Sequence, residues 1–93
     1  MDIAKLIGEL KDKDWNIRYK AAEILGQMKD TAAVEALIPL LKDKNRFVRQ
    51  EVVMTLGKIG GVASGQALTR ALEEEKNEFV TGFINKALEK LRG

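Results

Sequence analysis

The 93-residue chain contains neither cysteine nor histidine. Without cysteine it has no disulfide, no thiolate nucleophile and no thiolate metal ligand, a composition that fits the reducing cytoplasm. Without histidine it lacks the commonest general base near neutral pH and the commonest nitrogen ligand of transition metals. Only carboxylates remain for acid–base chemistry, so we expect a protein that is not an enzyme and holds no metal or cofactor.

Long apolar runs and a strong excess of one charge are missing too. The chain has 16 basic and 14 acidic side chains, a net charge of +2, spread evenly along its length. No apolar run approaches the roughly 20 residues that a bilayer-spanning helix needs, so we expect no membrane segment. With 45% hydrophobic and 32% charged residues, the composition predicts one folded domain over residues 1–93.

What the chain does contain is a repeat with a period of about 31 residues. Leu10-Lys11-Asp12-Lys13 recurs as Leu41-Lys42-Asp43-Lys44, and the first two copies share 11 identical positions. In a third, less similar copy, Val80 aligns with Val48. Self-similarity at this period is typical of repeat architectures. We therefore expect three repeats, over about residues 1–30, 31–61 and 62–93.

Within each copy the apolar residues recur at spacings of three and four, which predicts helices and not strands. The six expected helices lie near residues 2–11, 14–28, 31–42, 45–59, 62–75 and 77–92. Their expected N-caps are Asp14, Thr31, Asn45 and Asn77, and Gly60-Gly61 should end the fourth helix. Joints of two to four residues make neighbouring helices antiparallel, so the sequence predicts an all-α stack of helical hairpins. Pro39, inside the third helix, should bend it.

Two stretches of the sequence carry a family resemblance. Asp14-Trp15-Asn16-Ile17-Arg18-Tyr19-Lys20-Ala21-Ala22-Glu23-Ile24-Leu25-Gly26-Gln27-Met28 and the later Ala33-Val34-Glu35-Ala36-Leu37-Ile38-Pro39-Leu40-Leu41-Lys42-Asp43 resemble the short HEAT-like repeat of the phycobilisome (PBS) lyase, or E-Z, type. Repeats of that type commonly have a proline where Pro39 stands. The resemblance implies a short right-handed α-α superhelix of about three HEAT-like hairpins. It also implies that the arginine-bearing helix of each hairpin lines the concave surface.

The same resemblance gives a role to two acidic residues and two arginines. Asp12 and Asp43 each precede an arginine, Arg18 or Arg49, by six residues. In similar repeats this spacing makes a ladder of charge-assisted hydrogen bonds between neighbouring hairpins. An arginine presented to an anionic ligand is the alternative, because a guanidinium suits a carboxylate and a phosphate equally well.

Helical spacing separates a core stripe from a second set of large side chains. The stripe expected on the second helix is Ile17, Ala21, Ile24, Leu25 and Met28. Aromatic residues and methionine, in which interface cores are enriched, concentrate on the second, fourth and sixth helices. The partner-binding candidates there are Trp15, Tyr19, Arg46, Phe47, Gln50, Met54, Phe79 and Phe83. Alternatively, the second-helix aromatics fill the junction with the first helix, and the two phenylalanines of the sixth helix cover the C-terminal end.

These observations favour a non-catalytic adaptor or scaffold that binds a protein or peptide on its concave face. One alternative is an accessory subunit or fragment of a larger HEAT-repeat complex, such as a bilin lyase. Another is a nucleic-acid binder, which is less favoured because acidic residues alternate with the basic ones and weaken phosphate neutralisation. The apolar last helix also suggests homo-oligomers through the open C-terminal end.

Overall fold

The computed structural model describes residues 2–92, and this part of the chain is helical without any β-strand. The α-helices are α1 (Ile3–Glu9), α2 (Trp15–Met28), α3 (Val34–Leu37), α4 (Arg46–Ile59), α5 (Val62–Glu74) and α6 (Glu78–Arg92). α4 packs against both α2 and α6, so these three form the inner layer of the stack. The prediction of a short all-helical solenoid is confirmed. None of the described helices combines the length and the apolar character needed to span a bilayer.

Side-chain caps start most of these helices, because a short polar side chain can accept the free N–H groups of the first turn. Asp14, Asn45 and Asn77 cap α2, α4 and α6 as predicted, each accepting the N–H two residues on at 2.8–2.9 Å. The expectation of Thr31 as a cap is wrong. The carboxylate of Asp30 accepts the Ala32 N–H at 2.9 Å instead.

The third helix, expected as one helix over residues 31–42, is divided into three short pieces. Four α-helical residues form α3, and 3-10 turns flank it over Thr31–Ala33 and Ile38–Lys42. Pro39 occupies the first turn of the second 3-10 segment. A proline there loses little, because first-turn N–H groups have no partner within the helix. The proline thus changes the helix type where a simple bend was expected.

The core is most completely closed around α4, the central inner helix. Val48, Val52 and Leu56 are fully buried there. In the first hairpin, the prediction that the stripe on α2 is buried is only partly correct. Ala21 and Leu25 are buried, Ile24 is half-buried, but Ile17 and Met28 are each 38% exposed. One repeat later Val48, the counterpart of Ile17, is fully buried, and Ile59, the counterpart of Met28, is half-buried.

Glycines let the inner helices approach each other closely. A Cβ added to Gly26 of α2 would lie 3.1 Å from the Thr55 hydroxyl of α4, and one added to Gly57 would lie 3.1 Å from the Ala87 Cβ of α6. At the first contact Thr55 Oγ1 donates to the Ala22 carbonyl at 2.8 Å. The same close contact therefore recurs from hairpin to hairpin, near the C-terminal ends of α2 and α4.

Candidate functional site

Large side chains at the start of each inner helix form a continuous row. The rings of Tyr19 and Trp15 meet edge to face with centroids 6.3 Å apart, and Trp15 lies 6.1 Å from Phe47 at an angle of 32°. The Arg46 guanidinium follows, with its Cζ 4.8 Å from the Phe47 centroid and 5.5 Å from that of Phe79. We call Tyr19, Trp15, Phe47, Arg46 and Phe79 the aromatic row. It joins three hairpins on one face.

Much of this row faces solvent. Trp15 and Phe47 are exposed, and Phe79 is 67% exposed. A guanidinium near aromatic faces gains about 0.5–1 kcal/mol at exposed sites, which favours one arrangement of the Arg46 side chain. Exposed aromatic and methionine side chains that lie together usually mark a surface where a partner binds. The row therefore offers a preorganised apolar platform with one fixed positive charge.

The other three candidates lie along the same helices. Met54 is exposed, and Gln50 is half-buried. Phe83 is also half-buried and packs against the hydrophobic core, as Tyr19 does. Seven of the eight candidates thus belong to the row or to the same stretch of α4. Phe83 contributes more to packing than to an open platform.

Glu51 belongs to this site, although sequence reasoning did not single it out. It follows Phe47 by four residues and precedes Met54 by three, so all three share one face of α4. Its two neighbours are exposed, yet Glu51 itself is only 5% exposed. In the sequence, Glu51 is the single carboxylate between Phe47 and Met54 on this helical face. Such a residue usually lies in solvent, because charged side chains are seldom buried.

The surroundings of Glu51 disfavour its negative charge. Burial raises the pKa of Glu51 above its usual value, and Glu23 of α2 acts in the same direction. The Tyr19 hydroxyl and the charge of Lys58 act against this rise. The pKa of Tyr19 is raised as well, by burial and by the carboxylates of Glu51 and Glu23. Two acidic groups and a hydroxyl therefore lie together beside the aromatic row.

The two arginines considered for an anionic ligand are held between hairpins. Arg18 binds the Asp43 carboxylate through Nε at 2.8 Å, and Arg49 binds Glu75 in the same way at 2.9 Å. Asp12, expected in the ladder through its side chain, contributes only its backbone carbonyl to Arg18 at 2.7 Å. The Asp12 carboxylate instead accepts a hydrogen bond from the backbone N–H of Asp14, within the same loop. An arginine thus pairs with the acidic residue of the following hairpin, not with that of its own.

A cleft of about 660 Å³ lies on the opposite, outer face, between the Ile38–Lys42 turn and α5. Its charged lining residues are largely paired across hairpins, Arg49 with Glu75 at 2.9 Å and Lys42 with Glu74 at 3.6 Å. Within residues 2–92, no group of three or more acidic side chains is arranged to hold a metal ion. The cleft is therefore better suited to joining hairpins than to binding a ligand.

Comparison with known protein families identifies a family that covers most of the chain. A family described as HEAT repeats matches residues 3–89, a range that includes the aromatic row, Glu51 and both inter-hairpin arginines. No curated protein matches the chain.

Proposed function

We propose that this chain, which belongs to the HEAT repeat family, is a non-catalytic adaptor or scaffold that binds a protein segment on the face of α2, α4 and α6. HEAT repeats are in general protein-interaction modules. The observation that carries the proposal is the aromatic row, which exposes large side chains of three successive hairpins on one surface. Burial of such anchors supplies most of the binding energy at protein interfaces.

Rigidity of the platform is part of the proposed mechanism. The inner helices meet at Gly26 and Gly57 with little free space, and Arg18 and Arg49 each tie the loop inside one hairpin to the loop inside the next. A preorganised surface loses less binding energy to the ordering of its own side chains, which favours affinity. The row is therefore expected to bind its partner without a large rearrangement.

We also propose that the protein catalyses no reaction and acts in the cytoplasm. The support for both statements is compositional, because the chain lacks cysteine and histidine. We also propose that the repeats are of the PBS lyase type. The pairing of each arginine with the following hairpin's acidic residue and the position of Pro39 support that assignment.

We call the face of α2, α4 and α6 that carries the aromatic row and Met54 the groove. The test compares a groove variant with an outer-face variant in partner capture. The groove variant replaces Trp15, Arg46 and Met54 with Ala, and the control replaces Lys5, Glu9 and Glu35 with Ala. Proteins captured from the source organism by the wild type are identified, purified and measured by calorimetry against each variant. Loss of binding in the groove variant alone, with helical circular dichroism intact, supports the proposal. Binding lost only in the outer-face variant would place the site on the convex side and refute it.

Self-association through the C-terminal end stays a separate prediction. Val80, Ile84, Ala87 and Leu88 of α6 are buried within the chain, which reduces the apolar area that a second copy could cover. What remains is a shallow surface that includes Leu91 and Val62, the latter 78% exposed. Sedimentation at rising protein concentration would detect a dimer, and Val62→Glu should weaken it. Sedimentation as a monomer at high concentration would exclude this contact.

A further inference from the structure

A buried carboxylate without a cationic partner lies beside the aromatic row. Glu51 is 5% exposed, and no lysine or arginine nitrogen within residues 2–92 approaches its carboxylate to within 4.0 Å. The other two buried or half-buried carboxylates at hairpin contacts, Asp43 and Glu75, each hold an arginine. Glu51 thus differs from them in having no ion-pair partner within 4.0 Å among the described residues, although the charge of Lys58 acts in favour of its ionised form.

The position of Glu51 on α4 points it toward the binding face. Phe47 and Met54, four residues before and three after it, are exposed on that face, so Glu51 lies between two solvent-facing side chains. Tyr19 of α2 provides a hydroxyl neighbour, and Glu23, itself paired with Lys20 at 3.0 Å, provides a second negative charge. Glu51 therefore lies on the face of α4 that carries Phe47 and Met54.

A buried charge that is left unpaired destabilises a protein, and pairing it with a cation removes that cost. We infer that Glu51 is a binding site for a lysine or arginine side chain of a partner peptide, whose aliphatic stem lies over Trp15 and Phe47. This inference rests on the proposed groove function and specifies the chemistry of its partner. No metal-binding cluster of acidic residues occurs in the described part of the chain, which favours an organic cation.

The geometry of a basic side chain matches the arrangement of the site. Lysine and arginine carry an apolar stem below a charged head, so the stem can cover aromatic rings while the head reaches a carboxylate. Trp15, Phe47 and Met54 supply the apolar surface, and Glu51 with Tyr19 supplies the acceptors. Arg46, at the other end of the row, should at the same time repel a second basic residue there. The expected peptide therefore carries its basic residue opposite Glu51 and not opposite Arg46.

A library of random linear peptides displayed on phage can test this without a known partner. Peptides are selected on the wild-type protein after removal of those that bind the variant with Trp15, Arg46 and Met54 replaced by Ala. The remaining binders depend on the groove. We expect them to share a lysine or arginine at one position, and we expect its replacement by norleucine to lower affinity about tenfold, as for a lost charge-assisted hydrogen bond.

Two substitutions then assign the effect to one carboxylate. In Glu51→Gln the lysine and norleucine peptides should bind equally, whereas Glu89→Gln, an exposed position on α6, should keep the tenfold preference. Fluorescence of Trp15, the single tryptophan of the chain, reports binding in each case. Circular dichroism melting of both variants shows that they remain folded.

The outcomes separate this inference from the function on which it rests. Groove-dependent peptides without a preferred basic residue would refute the cation site and leave the binding groove intact. A preference for lysine that survives in Glu51→Gln would likewise refute the cation site alone. Recovery of no groove-dependent peptide would refute the binding groove, and the cation site with it.

Discussion

The guanidinium of Arg18 holds the carboxylate of Asp43 through two hydrogen bonds, Nε to Oδ2 at 2.8 Å and Nη2 to Oδ1 at 3.0 Å. Arg18 Nη1 also donates to the backbone carbonyls of Asp12 and Lys13, at 2.7 and 3.0 Å. One side chain therefore ties the loop inside the first hairpin to the loop inside the second. Arg49 repeats this arrangement with Glu75 and the carbonyl of Asp43.

Arg18→Ala should destabilise the fold by about 3 kcal/mol, because removal of one partner leaves a buried carboxylate unpaired. The side chains of Arg18 and Asp43 are only 8% and 6% exposed. Urea denaturation gives the free energy of unfolding. Lys20→Ala is the control, since the Lys20–Glu23 pair at 3.0 Å is solvent-exposed and should contribute less than about 1 kcal/mol. Equal losses in the two variants would contradict the structural role of Arg18 and revive the alternative of an anionic ligand.

Leu25→Ala and Leu56→Ala should each cost about 2–5 kcal/mol, because both side chains are fully buried and their truncation leaves a cavity. Thermal and urea unfolding measure the loss. Val62→Ala shortens a side chain that is mostly in solvent and should change stability by less than about 0.5 kcal/mol. If the two leucine variants unfolded like Val62→Ala, the assignment of the core to these faces of α2 and α4 would be wrong.

Local sequence signals predicted most of the fold. The repeat of Leu10–Lys13 at Leu41–Lys44 and the helical spacing fix the number of helices, and side-chain caps such as Asn45 act within three residues of their own position. Exposure of Ile17 and Met28 was not predictable in this way. Helical spacing places both residues on one face, but whether another helix covers that face is a property of the stack and not of the helix itself.

The candidate site, too, could be predicted from the sequence only where a residue's role follows from its own helix. Trp15, Phe47 and Phe79 could be identified because aromatic side chains recur at the start of the inner helices. The burial of Glu51 could not, since it arises only when α4 packs against the neighbouring helices. The ion-pair partners of the arginines were predicted only in part. The sequence predicted contacts between neighbouring hairpins, but Glu75, which binds Arg49, was not among the predicted ladder residues.

Gly57→Ala should destabilise the stack by about 1–3 kcal/mol, because the added Cβ would lie 3.1 Å from the Ala87 Cβ of α6 and force the two helices apart. Gly82→Ala is the matched control. Gly82 also lies within a helix, but no atom lies within 4 Å of its added Cβ, so the higher helix propensity of alanine should raise stability by up to about 1 kcal/mol. Thermal unfolding of both variants gives the sign of each change. A stabilising Gly57→Ala would show that α4 and α6 are not in close contact.

Glu51→Gln should raise the stability of the unbound protein at neutral pH. The pKa of Glu51 is raised by burial in the folded state, so folding favours its protonated form. The stability contributed by that proton is present below the unfolded pKa, about 4.3, and is lost as the pH rises through the folded value. Glutamine has the shape of the protonated acid and carries no charge, so this loss should not occur in the variant.

Melting temperatures measured at successive pH values from about 4 upward test the prediction. The advantage of Glu51→Gln over the wild type should be largest at neutral pH and should shrink as the pH falls toward the unfolded pKa. Glu89→Gln, which removes an exposed carboxylate, should show no such trend. A wild type more stable than Glu51→Gln at neutral pH would mean that the charged carboxylate is already stabilised within the fold. Glu51 would then have no need of a cation from a partner, and the inferred lysine or arginine site would lose its basis.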